Sequence, residues 1–359
     1  MLVLINPFSG GGKAPSVWRR LHALLEPTGI QMEVIETKYA GHAREMMKTL
    51  APLDAYAGVC TVSGDGLIYE VINGLMERDD GREAVQHIAI APAPGGTANG
   101  LWKSILHKAG ESFDLIGTAF LIAKGRPAPV DMWEYVRPAN GSDAEQHLGW
   151  SVLSLSWGIV SDVDIESEVL RFAGALRLTL YALWRIACLR KYSARLTYLD
   201  AVSGEWKSID ANKWVHGSCS VEHYPAIRPR PLRLTACAAV PRSWVGLWAC
   251  NVPWMSESDC AAPEAELNNG TLDVLALVGA SRLKTIGIFL ALSDGSHIAS
   301  ANEDSVRMLK VKALRLEPSR RTSAAPGHVV VDGEVVPFGP IEARAHPGAL
   351  RVLLRSSGD

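Results

Sequence analysis

The chain has 359 residues, 48% of them apolar, and a formal net charge of −2. That length suits two domains, and the apolar share can fill two cores. Near-neutral charge argues against a nucleic-acid binder, and no run is apolar or long enough to span a bilayer. The six cysteines show no Cys-x-x-Cys spacing and are read as free thiols of a reducing compartment. Met1 abuts the first apolar run, so no signal peptide is expected and the location expected is cytoplasmic. Eleven tryptophans suit core packing, with some compatible with a membrane surface.

Along the chain, apolar runs predict strands at 2–6, 31–36, 57–62 and 87–91. Amphipathic spacing predicts helices at 15–26, 41–50, 67–77, 98–108 and 112–124. This alternation predicts a Rossmann-like parallel α/β domain over 1–128. Gly125-Arg126-Pro127-Ala128-Pro129 breaks the pattern and sets the expected boundary. From 129 to 359, short β-rich stretches at 148–157, 194–200, 230–238, 244–251, 271–278 and 328–336 predict a mainly antiparallel β-sandwich. Helices are expected near 165–191 and 281–293, and the Pro- and Arg-rich stretch 224–233 is expected to be an exposed loop.

Three strand–helix junctions carry small residues: Asn6 to Gly12 with Gly10, Gly11 and Gly12; Ser63-Gly64-Asp65-Gly66; and Pro94-Gly95-Gly96-Thr97-Ala98-Asn99. In a parallel sheet such loops gather at the carboxyl edge, where ligands bind. Glycines admit close backbone approach, and helix starts offer N–H groups to phosphate. The first loop is not a Walker A loop, since no Ser or Thr follows Lys13. An aspartate beside a phosphate site fits a base for an attacking hydroxyl or a metal contact; a plain N-cap is the alternative. Glu70, one turn on, reads equally as a site residue or a solvated helix residue.

These three loops, with Glu70 and Asn73-Gly74, resemble the catalytic region of diacylglycerol and sphingosine kinases. Ser154-Leu155-Ser156-Trp157-Gly158, the run Ser161 to Glu168, and Asp332-Gly333-Glu334 resemble the sphingosine kinases in particular. The resemblance spans nearly the whole chain. It implies an active site in the cleft between the two domains, with ATP and Mg2+ as cofactors and the metal ligands undetermined. It further implies a sphingoid-base lipid as acceptor, with a diacylglycerol or ceramide kinase, or a non-catalytic lipid-binding protein on the same fold, as the alternatives. It also implies transient contact with a membrane surface and no nucleic acid, and self-association into a homodimer is within its scope.

By resemblance Asp65 is the catalytic base. Asn6, Gly10, Gly11, Gly12, Ser63, Gly64, Gly66, Glu70, Gly96, Thr97, Asn99, Arg171, Arg177, Asp332, Gly333 and Glu334 would serve the nucleotide. Arg171 and Arg177 flank Gly174, where a bend would turn both toward phosphate; without the resemblance they read as surface arginines. Asp332 and Glu334 also suit an ordinary hairpin turn. Asp162 and Asp164, if on a strand, share one face and form a polar mouth over an apolar pocket. Asp164 would contact the lipid head group, assisted by Ser154, with Asp162 and Ser156 nearby and the 165–191 helices as a lid. Ser156 stands where alanine is commoner, a change that bears on the preference among long-chain bases. Ala98 and Gly95 also depart from the commoner glycine and alanine.

Overall fold

The computed structural model describes residues 1–139, 144–173, 176–210, 243–300, 305–319 and 327–355. The expected strand 230–238 and loop 224–233 lie outside them.

The first strands are β1 (Leu2–Ile5), β2 (Glu33–Glu36), β3 (Gly58–Ser63) and β4 (Ala89–Pro94). They pair in parallel in the order β2-β1-β3-β4. Every residue of β1 and β3 is buried, as a sheet covered on both faces requires. The covering helices are α1 (Ala14–Leu25), α2 (His42–Thr49), α3 (Asp65–Met76), α4 (Gly81–His87), α5 (Gly100–Ala109) and α6 (Leu115–Lys124).

The rest of the chain is mainly antiparallel. It comprises β5 (Arg126–Arg137), β6 (Gln146–Ser151), β7 (Ser154–Gly158), α7 (Ile159–Glu166), α8 (Leu176–Ala187), β8 (Ser193–Asp200), β9 (Trp206–Asp210), β10 (Trp244–Cys250), β11 (Leu272–Val278), α9 (Arg282–Ala291), β12 (Val306–Ser319), β13 (Val329–Val331), β14 (Glu334–Val336) and β15 (Ile341–Leu354). Both parts share one mixed sheet, because β15 is long enough to serve two neighbours. Its start pairs with β12, and its end pairs in parallel with β4 through Arg351–Ala89 and Val352–Ile90. The last strand therefore returns to the first sheet.

Several elements depart from the sequence expectation. The stretch 148–157 is two strands, β6 and β7. The helix expected over 165–191 is α7, a short 3-10 turn and α8. Strand β5 forms despite Pro127 and Pro129, which pair only with β15 (Leu353 and Arg351); their missing N–H groups face no second partner.

Two residues of the Asn73-Gly74 motif join the layers. Asn73 donates through Nδ2 to Tyr69 O and Trp150 O, and its Oδ1 accepts from Trp150 N, tying α3 to β6. A Cβ on Gly74 would lie 2.4 Å from Arg44 O, so only glycine lets α2 and α3 cross this closely. An apolar layer packs α7, α8 and α9 on the sheet through Ile159, Val163, Ala182, Ile186, Val245 and Ile288.

Candidate active site

Asn6, just past β1, accepts from Phe8 N through Oδ1 at 3.0 Å and so turns the first loop. Gly10, Gly11 and Gly12 follow with φ of 59°, 68° and 84°. Three successive left-handed residues are accessible only to glycine at low cost. Ser9 then joins the first and second loops: its Oγ accepts from Ser63 Oγ at 3.0 Å and Gly64 N at 3.2 Å. Ser9 was missed from sequence; only its place before three glycines could have marked it.

The three loops meet backbone to backbone. A Cβ on Gly10 would stand 2.5 Å from Gly95 O, and one on Gly96 would stand 2.2 Å from Gly64 Cα. Asn99 (φ 59°) closes the third loop on itself, accepting from Gly96 N and donating to Gly96 O and Glu257 Oε1. In contrast, a Cβ on Gly11 or Gly66 would meet nothing within 4 Å. The cradle thus has glycines that let the loops close and glycines that face open space. Open space with adjacent N–H groups fits a phosphate chain.

These two kinds of glycine should separate in experiment. Gly96→Ala is expected to cost about 1–3 kcal/mol, because the overlap is with backbone that cannot swing aside. Gly66→Ala is expected to leave the melting temperature unchanged or slightly higher, while raising KM for ATP. Thermal melts and ATP titrations of both variants check this; equal melting temperatures would refute the packing argument.

Asp65 begins α3, and its two carboxylate oxygens accept from Gly100 N at 2.8 Å and Leu101 N at 3.1 Å. It therefore caps α5 across the third loop. Desolvation pushes its carboxyl above the ordinary range, while those two N–H groups pull it back. Glu70 does the same for α2, accepting from Gly41 N at 2.9 Å and Ala43 N at 3.1 Å. Thr97 is exposed beside the cradle.

At the other wall, Asp332 and Gly333 occupy left-handed conformations (φ 48° and 86°) in the hairpin between β13 and β14. Asp332, expected toward the nucleotide, instead turns inward. It accepts from Ser151 Oγ at 2.6 Å, Val152 N at 2.9 Å and Ser154 N at 2.8 Å, and burial raises its carboxyl to about 6. It holds the bend between β6 and β7. Glu334 is the acid that stays outside. Partial desolvation and Glu70 both raise its carboxyl, and among the described residues no hydrogen bond or ion pair reaches it.

Asp162 and Asp164 are on helix α7, not on a strand, so they point roughly 200° apart. The expected shared mouth is corrected accordingly: Asp162 is wholly buried on the far side of the helix. It accepts from Arg185 Nη2 at 2.8 Å, from Arg190 Nη1 at 3.2 Å and from the Tyr192 hydroxyl. Glu166 adds Arg190 at 2.5 Å and Tyr181 at 2.8 Å. Asp162, Glu166 and His328 cluster closely enough for a cation, but the two guanidiniums already balance their charge. The network pins α8 to α7. Asp162→Asn is expected to lower stability by about 2 kcal/mol, since buried hydrogen bonds to charge are lost; a denaturant melt measures it.

Asp164 is half-buried, and burial raises its carboxyl to about 6; Arg177 opposes this, while Glu168 and Glu334 add to it. Among the described residues no hydrogen bond or ion pair reaches this carboxylate. Arg177 itself pairs with Glu168. The Arg171 side chain and Gly174 lie outside the described residues, so the expected bend between the two arginines does too. Ser154 Oγ accepts from Trp248 Nε1 at 3.2 Å, and Ser156 meets Ser161 hydroxyl to hydroxyl.

A glycine cradle with an aspartate at its rim, and a second acid that no hydrogen bond or ion pair reaches among the described residues, form the arrangement of a phosphoryl-transfer site. In agreement, residues 1–135 match the diacylglycerol kinase catalytic domain, and residues 155–354 match the YegS C-terminal NAD kinase beta sandwich-like domain. The chain belongs to the sphingosine kinase family. It is 33% identical to Sphingosine kinase 1 of Arabidopsis thaliana, over 94% of this chain and 69% of that protein. It is also 33% identical to Sphingosine kinase 1 of Mus musculus, over 99% and 91%. A crystal structure of a putative diacylglycerol kinase from Bacillus anthracis shares the fold, with a TM-score of 0.63 at 18% identity over 99% of this chain and 97% of that one. ATP is the phosphoryl donor this kinase family implies. Among the described residues, no helix is long and apolar enough to cross a membrane.

Proposed function

We propose that this kinase transfers the γ-phosphoryl group of ATP to the primary hydroxyl of a sphingoid base, giving the base 1-phosphate and ADP. The observation that carries this reading is Asp164, a half-buried carboxylate that no hydrogen bond or ion pair reaches among the described residues. Arg177, itself paired with Glu168, acts on it only from a distance, and Glu168 and Glu334 oppose that influence. Such a group calls for a cation. A sphingoid base brings an ammonium next to its reacting hydroxyl, whereas diacylglycerol and ceramide bring none.

The residues divide the work by chemistry. Asp65 takes the proton of the attacking hydroxyl, its raised pKa improving it as a base. The N–H groups around Gly11 and Gly66, the glycines that face open space, would meet the phosphates, and Arg177, paired with Glu168, lies near enough to Asp164 to act on its charge. Glu334, whose carboxylate no hydrogen bond or ion pair reaches among the described residues and which feels the charge of Glu70, would be the acid to hold Mg2+; bound metal and nucleotide would supply charge neutralisation and the leaving group. Leu176, Leu180, Leu183 and Trp184 form an exposed apolar stripe on α8 at helical spacing, which supports loading of the lipid from a membrane surface.

The test is labelled ATP with sphingosine, ceramide and diacylglycerol side by side. Phosphorylation of sphingosine alone is the expected result. Equal or better use of a neutral lipid would overturn the substrate assignment, and no transfer to any of them would leave a lipid-binding protein.

A further inference from the structure

Ser156 on β7 and Ser161 on α7 meet Oγ to Oγ at 2.8 Å, with 5% and 0% exposure. Ser156 pairs across the sheet with Trp248, and Ile159 and Val163 of α7 belong to the adjoining apolar layer. Two hydroxyls carry two protons and four lone pairs, and their mutual bond uses one of each. Among the described residues no other hydrogen bond reaches either oxygen. Buried polar groups are normally satisfied, so this pair has hydrogen-bonding capacity to spare.

Its position connects it to the head group. Alternation on β7 puts Ser156 on the same face as Ser154. Helical spacing puts Ser161 on the same face as Asp164, one turn away along α7. The pair is more deeply buried than Asp164. On the reading above, Asp164 takes the ammonium on C2 of the lipid. The C4 carbon is then roughly 2.5 Å further along the chain, two single bonds on.

We infer that the Ser156–Ser161 pair recognises a hydroxyl on C4, making a 2-amino-1,3,4-triol base the favoured acceptor over the otherwise identical 1,3-diol. This rests on the sphingoid-base reading. The competing account is that the pair only ties α7 to β7. That account predicts equal losses on every lipid.

Phytosphingosine and dihydrosphingosine of equal chain length differ only in the C4 hydroxyl. Measure kcat/KM for both with the wild type, Ser156→Ala, Ser161→Ala and the double variant. The wild type is expected to favour the triol by about tenfold or more, as sites built around a hydroxyl reject analogues lacking it. The double variant should bring the ratio to one or below, with Ser156→Cys, which keeps the shape, falling between. Should the alanine variants fail to fold, the cysteine variant alone decides. A ratio unchanged by the substitutions, or a wild type that prefers the diol, overturns the inference while leaving the kinase reading intact. A wild type that phosphorylates neither base overturns the reading beneath it.

Discussion

Asp65→Asn should lower turnover by about 100- to 10,000-fold while ATP still binds, because the variant loses its proton acceptor. The structure adds a second expected effect. Asp65 accepts from both Gly100 N and Leu101 N at the start of α5. Asparagine offers one acceptor oxygen and sets its NH2 group against the other N–H. That mismatch should cost about 1–3 kcal/mol of stability. Single-turnover rates, an ATP titration and a thermal melt of the purified variant separate the effects. Near-normal turnover would remove Asp65 from the chemistry, whatever happens to the melt. Unchanged stability would instead contradict its capping of α5.

Asp164→Asn is expected to weaken use of an amine lipid by about 2–5 kcal/mol in kcat/KM, because a desolvated ammonium loses its charged partner. Use of a neutral lipid alcohol should change far less. The pH dependence follows from the same group. Asp164 titrates at about 6, pushed up first by burial. It must be ionised to hold the ammonium, so wild-type kcat/KM for the amine lipid should fall as pH drops through about 6. In Asp164→Asn that acid limb should disappear, since the amide does not titrate. An equal fold-change on amine and neutral lipids would sink the idea that Asp164 reads the amine. An acid limb that survives in the variant would assign it to another group: first Asp65, whose carboxyl is also raised by burial and must be ionised to act as base, and then Asp332, near 6.

Much of the phosphate side was legible in the residues. Strand periodicity followed by glycine-rich junctions is a local signal, and parallel strands bring such junctions to one edge whatever the intervening sequence. The open and packed glycines could not be told apart, however. Gly96 and Gly66 look alike in the chain, and only the neighbouring backbone of Gly64 makes Gly96 a closure point. Glu70 shows the same limit, since the N–H groups it accepts from belong to residues 27 and 29 positions away.

The lipid side was less legible because its motif was read on the wrong element. Spacing of two means one face on a strand and nearly opposite faces on a helix. Helix α7 therefore divides Asp162 from Asp164, giving one to the arginine network and leaving the other without a hydrogen bond or ion pair among the described residues. Asp332 was drawn away by four residues nearly 180 positions earlier, a partnership no local pattern encodes.

By itself, then, the sequence determined the alternating first half, the three small-residue loops, Asp65 at a helix start and the kinase family. These depend on near-neighbour periodicity, turn chemistry and a recurring order of motifs. Only the tertiary structure decided that β15 returns to β4, that Asp332 and Asp162 serve the scaffold, that Asp164 is left with no partner among the described residues, and that Ser156 and Ser161 meet. Each of those depends on long-range pairing, where burial forces polar groups to find partners that chain distance does not reveal.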